Sequence, residues 1–256
     1  MPQPRVQSLE RALDLLEALA GADDLGVSEI AAQTGLVPST AHRLLSTLVA
    51  RGYASQSPTT GRYMLGYKLL ELTSGVQDRL GRLRTAARPH LEAIQSETGE
   101  TTNLVVLEGR DVVYVDKVDG TRSVRLFLEV GRAIPAHTSG AGKAILAWRS
   151  PEDVAALLGT SPLQASTSHT ITTLDALEQD LKRIRRRGFA TDNEEHEEGV
   201  GCVGTPVFDH RGVSIAAMSV SGPTSRILNA ETADLGALLR EHAEAVSVKL
   251  GYSAGA

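Results

Sequence analysis

Residues 28–65, SEIAAQTGLVPSTAHRLLSTLVARGYASQSPTTGRYML, constrain what this chain can fold into more than any other stretch. From Pro38 onward, Ala41, Leu44, Leu45 and Leu48 follow the i, i+3, i+4, i+7 spacing of one buried helical face. Ser39, Arg43, Ser46 and Thr47 fall outside that stripe. Upstream, Gly26-Val27-Ser28-Glu29 opens a shorter helix, and the turn Gly35-Leu36-Val37 separates the two. Downstream, Arg51-Gly52 ends the second helix. Tyr53-Ala54-Ser55-Gln56 and Arg62-Tyr63-Met64-Leu65 then read as strands joined through Ser57-Pro58-Thr59-Thr60-Gly61. The segment is thus predicted to be a winged helix-turn-helix. A helix packed on one side that offers hydroxyls and a guanidinium on the other suits a DNA groove. An ordinary amphipathic helix in a small bundle would show the same pattern, so the surroundings must decide.

Charge is one such surrounding. The net charge of −5 is unevenly spread. Residues 1–90 carry ten Lys/Arg and eight Asp/Glu, whereas residues 91–256 carry sixteen and twenty-three. No acidic residue occurs between Glu29 and Glu71, while Arg43, Arg51, Arg62 and Lys68 do. A surface facing phosphates must avoid carboxylates, and the split suggests two domains with different partners. The remaining composition, 41% hydrophobic and 22% charged, is that of a globular protein. No apolar run approaches the ~18 residues of a membrane span. The single cysteine, Cys202, excludes an intramolecular disulfide and fits a reducing cytoplasm.

Residues 66–83 read as a lone helix. Leu65, Leu69, Leu72 and Val76 repeat at near-heptad spacing, as expected of a linker that pairs with its symmetry mate in a homodimer. Packing against the chain's own C-terminal part is the alternative. The expected organisation is a winged domain over 1–65, a linker and dimerisation helix over 66–83, and a second domain over 84–256. In the latter, helix is predicted over 89–97 and a hairpin over 103–107 and 112–118, turning at Gly109-Arg110. A further strand is predicted over 124–128, and a helix from Ser139 to Trp148. Helices are expected over 151–158, 174–187 and 230–250. Strands over 202–208 and 214–220 flank Asp209-His210-Arg211-Gly212. Hairpins with helices around them make an α+β domain rather than a doubly wound parallel sheet.

Four groups of residues could carry chemistry here. SGAGKA, residues 139–144, is not a phosphate loop, because His137 and Ala144 stand where that motif needs Gly and Ser or Thr. A small-residue turn opening a helix can still present N–H groups to an anion, or its glycines can serve close packing. Asp192-Asn193-Glu194-Glu195-His196-Glu197-Glu198 is rich in acids but lacks metal-ligand spacing, so neither metal nor cofactor is assigned. Cys202 with His196 could form a nucleophile pair, or Cys202 could be a buried small residue. Ser219 and Ser221 share one strand face with Ala217, which calls for a ligand or a structural hydrogen bond.

RVQSLERALDLLEAL, LVPSTAHRLLSTLVARGY with RYMLG, HTSGAGKAILA and FATDNEEHEEGVGCVGTPVFDHRGVSIAAMSVSGPTSRI together resemble the IclR family of bacterial transcriptional regulators. The resemblance implies a winged helix-turn-helix, a linker helix and a GAF-like effector-binding domain. It also implies operator binding as a dimer or dimer of dimers, controlled by a small organic acid or an aromatic-catabolism metabolite, and repression is the expected mode, with activation the alternative. DNA contacts are expected from Ser39, Thr40, His42, Arg43, Ser46, Thr47 and Arg62. By similarity, Leu126, Ile134, Gly140, Ala141, Gly142, Asp192, Cys202, Ser219 and Ser221 would surround the effector. An enzyme using Cys202 and His196, or a DNA-binding protein without a ligand, are the alternatives.

Overall fold

The computed structural model describes residues 6–126, 128–159 and 162–253, with the side chain of Arg79 also outside the description. Two compact units divide between Arg79 and Leu80.

The first unit contains α1 (Gln7–Ala20), α2 (Val27–Gln33), α3 (Pro38–Ala50) and a hairpin of β1 (Ala54–Gln56) and β2 (Tyr63–Leu65). Pro38 stands at the start of α3, where its missing N–H costs nothing. Ala41, Leu45 and Leu48 are buried and pack with Leu15, Leu19, Ile30 and Tyr63. Leu25 bridges to Tyr63, so the loop before α2 is tied to the wing.

The next helix corrects an expectation. Residues 66–83 and 89–97 do not form separate helices; α4 runs unbroken over Lys68–Thr98 with Pro89 inside it. Proline removes an N–H and usually ends a helix at the residue before it. Here the flanking residues Leu83, Ala86, Ala87, Leu91 and Ile94 are buried in one core, while Pro89 itself is exposed. Burial of that apolar face outweighs the local cost of the proline.

The second unit is built on a six-stranded sheet among the described residues, ordered β5-β4-β3-β8-β7-β6. Its strands are β3 (Thr101–Glu108), β4 (Asp111–Val118), β5 (Ala133–Pro135), β6 (Ala190–Asn193), β7 (Val200–Phe208) and β8 (Ser214–Pro223). Every strand pair is antiparallel. The expected strand over 124–128 does not form: residues 124–126 and 128 are irregular, and Phe127 lies outside the described residues. β5 takes the edge of β4 instead, pairing Ile134 with Val112.

Alternation along these strands sorts two cores. Leu104, Met218, Val220 and Val203 pack with the second half of α4 and with α9 (Thr232–Lys249). Val105, Tyr114 and Ala217 face the other way, towards α5 (Gly140–Leu146), α6 (Pro151–Leu158) and α7 (Leu174–Arg187). A short helix, α8 (Thr224–Ile227), follows β8. Gly204 of β7 lies directly beneath α5, where an added Cβ would come within 2.6 Å of the Ala141 nitrogen.

Replacing that hydrogen by a methyl forces α5 off the sheet. Gly204→Ala is therefore expected to cost about 1–3 kcal/mol in the second unit. Leu45→Ala should cost about 2–5 kcal/mol in the first. Urea denaturation followed by circular dichroism, compared with wild type, reads both.

Candidate functional site

In the first unit, α3 presents Ser39, His42, Arg43, Ser46 and Thr47 to solvent, with Thr40 half-buried. Ser46 and Thr47 donate to the carbonyls of His42 and Arg43, at 2.8 and 3.2 Å, which leaves their oxygens free to accept. The side chain of Arg62 is engaged within the unit: its Nε donates to Asp24 at 2.6 Å and its Nη2 to Glu29 at 2.8 Å, so the guanidinium ties the wing to α2. Two carboxylates hold it. They also raise its pKa, the hydrogen bond to Asp24 contributing most.

In the second unit, the strand register brings four of the expected residues together. Asp192 pairs with Cys202 and Cys202 with Ser221, while Ser219 stands opposite Gly204. All four face α5 and are closed off from solvent, with 3% (Asp192), 6% (Cys202), 1% (Ser219) and 2% (Ser221) exposed. α5 is seated so closely that a Cβ on Gly140 would meet the Cys202 oxygen at 3.1 Å and its sulfur at 3.2 Å. Leu126 and Ile134 line the same apolar core as Ala141.

The loose N–H groups expected at the start of α5 are already bound. The Gly142 N–H donates to Ser139 Oγ at 2.9 Å, and the Ala141 N–H supports the Cys202 sulfur. Gly142 abuts the Ala136 backbone, where any side chain would collide. The helix opening thus serves close contact with the sheet.

Three contributors were not apparent from the sequence. Asn103 of β3 sits opposite Ser219 and donates to Ser221 Oγ at 3.3 Å and Ser219 Oγ at 3.5 Å. Its Oδ1 is buried without a hydrogen-bond partner among the described residues. The run TTNLVV held the signal, because alternation puts Thr101 and Asn103 on the face of Val105. Tyr114 of β4 also belongs here: burial raises its phenol pKa, and the Cys202 and Asp192 charges add to the shift. The third is Lys143, only 1% exposed, whose Nζ donates to Glu195 at 2.6 and 2.8 Å and to Asp180 at 3.0 Å. The Glu195 N–H in turn donates to Asp192 Oδ1 at 2.7 Å, so the lysine braces the turn that orients Asp192.

Burial governs the protonation states. It pushes the Asp192 carboxyl up to about 7, against the backbone donors of Glu195 and His196. It pushes the Cys202 thiol up to about 11, with Asp192 adding and Ser221 and Ser219 opposing. Burial also raises Glu195, outweighing Lys143. For Asp180 the balance reverses: burial would raise it, but Lys143 and Arg183 hold it below the ordinary range. His196 contacts Thr138 Oγ1 at 3.2 Å, and burial lowers its pKa. A protonated thiol deep in the fold is a poor nucleophile, and the arrangement is one of neutral donors suited to holding a ligand. Among the described residues, no three His, Cys, Asp or Glu side chains are grouped to hold a metal.

Residues 8–58 match the model of the IclR helix-turn-helix domain, and residues 79–248 that of the bacterial transcriptional regulator IclR C-terminal domain. The chain belongs to the IclR family of bacterial transcriptional regulators. It is 38% identical over 252 residues to the HTH-type transcriptional regulator XynR of Escherichia coli strain K12, covering 98% of this chain and 100% of that protein. It is 37% identical over 251 residues to the transcriptional repressor IclR of the same strain, covering 96% and 91%. Among solved structures, Thermotoga maritima IclR superposes with a TM-score of 0.77 at 36% identity, covering 97% and 100%. An IclR homologue from Microbacterium hydrocarbonoxydans, complexed with 4-hydroxybenzoate, also gives 0.77, at 29% identity with 95% and 98% covered.

Two stability effects follow. Unfolded aspartate releases its proton near pH ~3.9, whereas folded Asp192 holds it to about 7. The native state therefore binds the extra proton between these values, and the associated stability, full below the unfolded pKa, is lost as pH rises through the folded one. Asp192→Asn should flatten this decline in urea titrations across the interval. Lys143→Met leaves buried Glu195 without its cation and Asp180 with Arg183 alone, an expected loss of about 3–5 kcal/mol that deepens as pH rises and Glu195 ionises. Equilibrium denaturation at mildly acid and alkaline pH checks the sign.

Proposed function

We propose that this chain is a cytoplasmic repressor that grips its operator through α3 and is controlled by a small organic acid bound at the polar cluster on the α5 side of the sheet. Ser39, Thr40, His42, Arg43, Ser46 and Thr47 form the reading surface, and Arg62 fixes the wing from behind by its pairs with Asp24 and Glu29. The carrying observation is the closed polar cluster of Asn103, Asp192, Cys202, Ser219 and Ser221, set in an otherwise apolar core. Structural hydrogen bonds alone leave the Asn103 carbonyl oxygen unused. A ligand supplies its partner, with Leu126, Ile134 and Ala141 as apolar walls.

The exposed edge of α4 supports pairing between two copies. Leu72 and Val76 are about half exposed, 51% and 46%, and Leu65 is 38% exposed. Such a seam suits a homodimer, or a dimer of dimers, that presents two heads to two operator half-sites. None of the described helices is long and apolar enough to cross a membrane.

Fluorescence anisotropy with the chain's own promoter fragment tests the reading. Binding is expected in the ~10⁻⁸–10⁻¹¹ M range of specific regulators, weakening steeply with salt. Arg43→Ala should cost about 1–3 kcal/mol and relax sequence preference, without changing the fold. Equal affinity for promoter and scrambled DNA would end the proposal.

A further inference from the structure

The environment of Asp192 makes it unusual for an acid-binding site. Its carboxyl accepts only backbone N–H groups, those of Glu195 at 2.7 Å and of His196, and among the described residues no Lys, Arg or His side chain forms an ion pair with it. The nearest buried cation, Lys143, is committed to Glu195 and Asp180. Every other side chain at the cluster is neutral: the Cys202 thiol on β7, the Ser219 and Ser221 hydroxyls on β8, the Asn103 amide on β3 and the Tyr114 phenol on β4.

Charged groups further out do not change this. Glu195, on the turn after β6, adds a like charge to Asp192, and Lys143 on α5 offsets part of it. His196 is turned to Thr138, and Arg132, before β5, acts on Tyr114 and His196. An anion arriving beside ionised Asp192 would set two buried negative charges together with no cation between them. Two carboxyl groups in that position hold one proton in common.

Resting on the effector-site reading above, we propose that carboxylate ligands enter this site with uptake of one proton, held between the ligand and Asp192, so that effector binding is coupled to pH. The ligand class follows: small acids recognised by neutral donors and a shared proton rather than by a guanidinium clamp. The orphaned Asn103 Oδ1 agrees, because it is an acceptor and asks the ligand for a donor, a hydroxyl being the simplest. Burial already brings Asp192 near its titration point at neutral pH. Below that point the carboxyl carries its proton and an anion binds with no uptake. Above it, each binding event must draw a proton from solution, and affinity falls by up to about tenfold per pH unit.

Isothermal titration calorimetry on the full chain, in buffers of different protonation enthalpy, counts the protons directly. The probes are a panel of small aliphatic and aromatic carboxylates, acetate and 4-hydroxybenzoate among them, near pH 6 and pH 8.5. Uptake should be close to zero at the lower pH and approach one per site at the higher, with affinity at least about tenfold weaker there. Asp192→Asn, isosteric with the protonated acid, should bind with no uptake and no pH dependence, at least as tightly as wild type at pH 8.5. Binding by wild type at pH 8.5 without uptake overturns the shared proton. So does loss of binding at both pH values in a folded Asp192→Asn chain, which would make Asp192 a plain acceptor. If no carboxylate of the panel binds wild type at pH 6, the acid-effector reading itself falls, and this inference with it.

Discussion

The approach of α5 to β7 is the contact on which the second unit depends. Gly204 allows it from the strand and Gly140 from the helix; a side chain at either would collide with backbone or sulfur on the other side. Close contact sets the Ala141 N–H against Cys202 and closes the serines and Asn103 off from water. It also buries Lys143, because the helix that carries it lies flat on the sheet. A buried ammonium must be paired, so the fold brings Asp180 from α7 and Glu195 from the turn after β6 to meet it. That turn presents Asp192 to the cluster. One steric allowance thus fixes both the shape of the site and its charges.

Placing the cation behind the site, rather than in it, has a chemical consequence. A single ion pair in a low-dielectric interior is strong, but it reads mainly the charge of its partner and the few atoms it touches. A cluster of amide, hydroxyl, thiol and carboxyl groups instead demands that donors and acceptors match, and each mismatch leaves a buried polar group unpaired. The Asn103 amide shows the principle at work: its nitrogen is used by the two serines and its oxygen is left over. Selectivity in such a site comes from that residual demand.

The head was legible because each local signal agreed with the next. Pro38 starts α3, Gly35 breaks the chain before it, and Ala41, Leu45 and Leu48 keep helical spacing. Position-specific strand reading also succeeded for Ser219 and Ser221, since alternation needs no knowledge of the partner strand. Failures arose wherever a distant contact decided. Pro89 suggested a helix end, but five flanking apolar residues packed on the sheet carry α4 through it. The ion pairs of Arg62 were not foreseen because Asp24 and Glu29 lie more than thirty residues earlier in the chain. Lys143 read as part of a glycine turn, and nothing local announces that its partners come from α7 and β6–β7. Asn103 was hidden for the same reason, its meaning set by Ser219 and Ser221 across a strand pair.

The site and α4 meet through β3, which gives the domain a physical route between them. Thr101 and Asn103 face the polar cluster, whereas Thr102 and Leu104 between them face α4. The Thr102 hydroxyl donates to the Leu91 carbonyl at 3.0 Å, a buried bond from strand to helix backbone. Thr101 Oγ1 donates to the Leu126 carbonyl and accepts from the Gly120 N–H. Asn103 therefore sits on a strand whose alternate residues are fastened to α4, and a packed core of this kind shifts between discrete arrangements rather than yielding smoothly. The same helix begins at Lys68, three residues beyond the wing strand β2. One continuous helix thus leads from the wing strand to the core of the second unit.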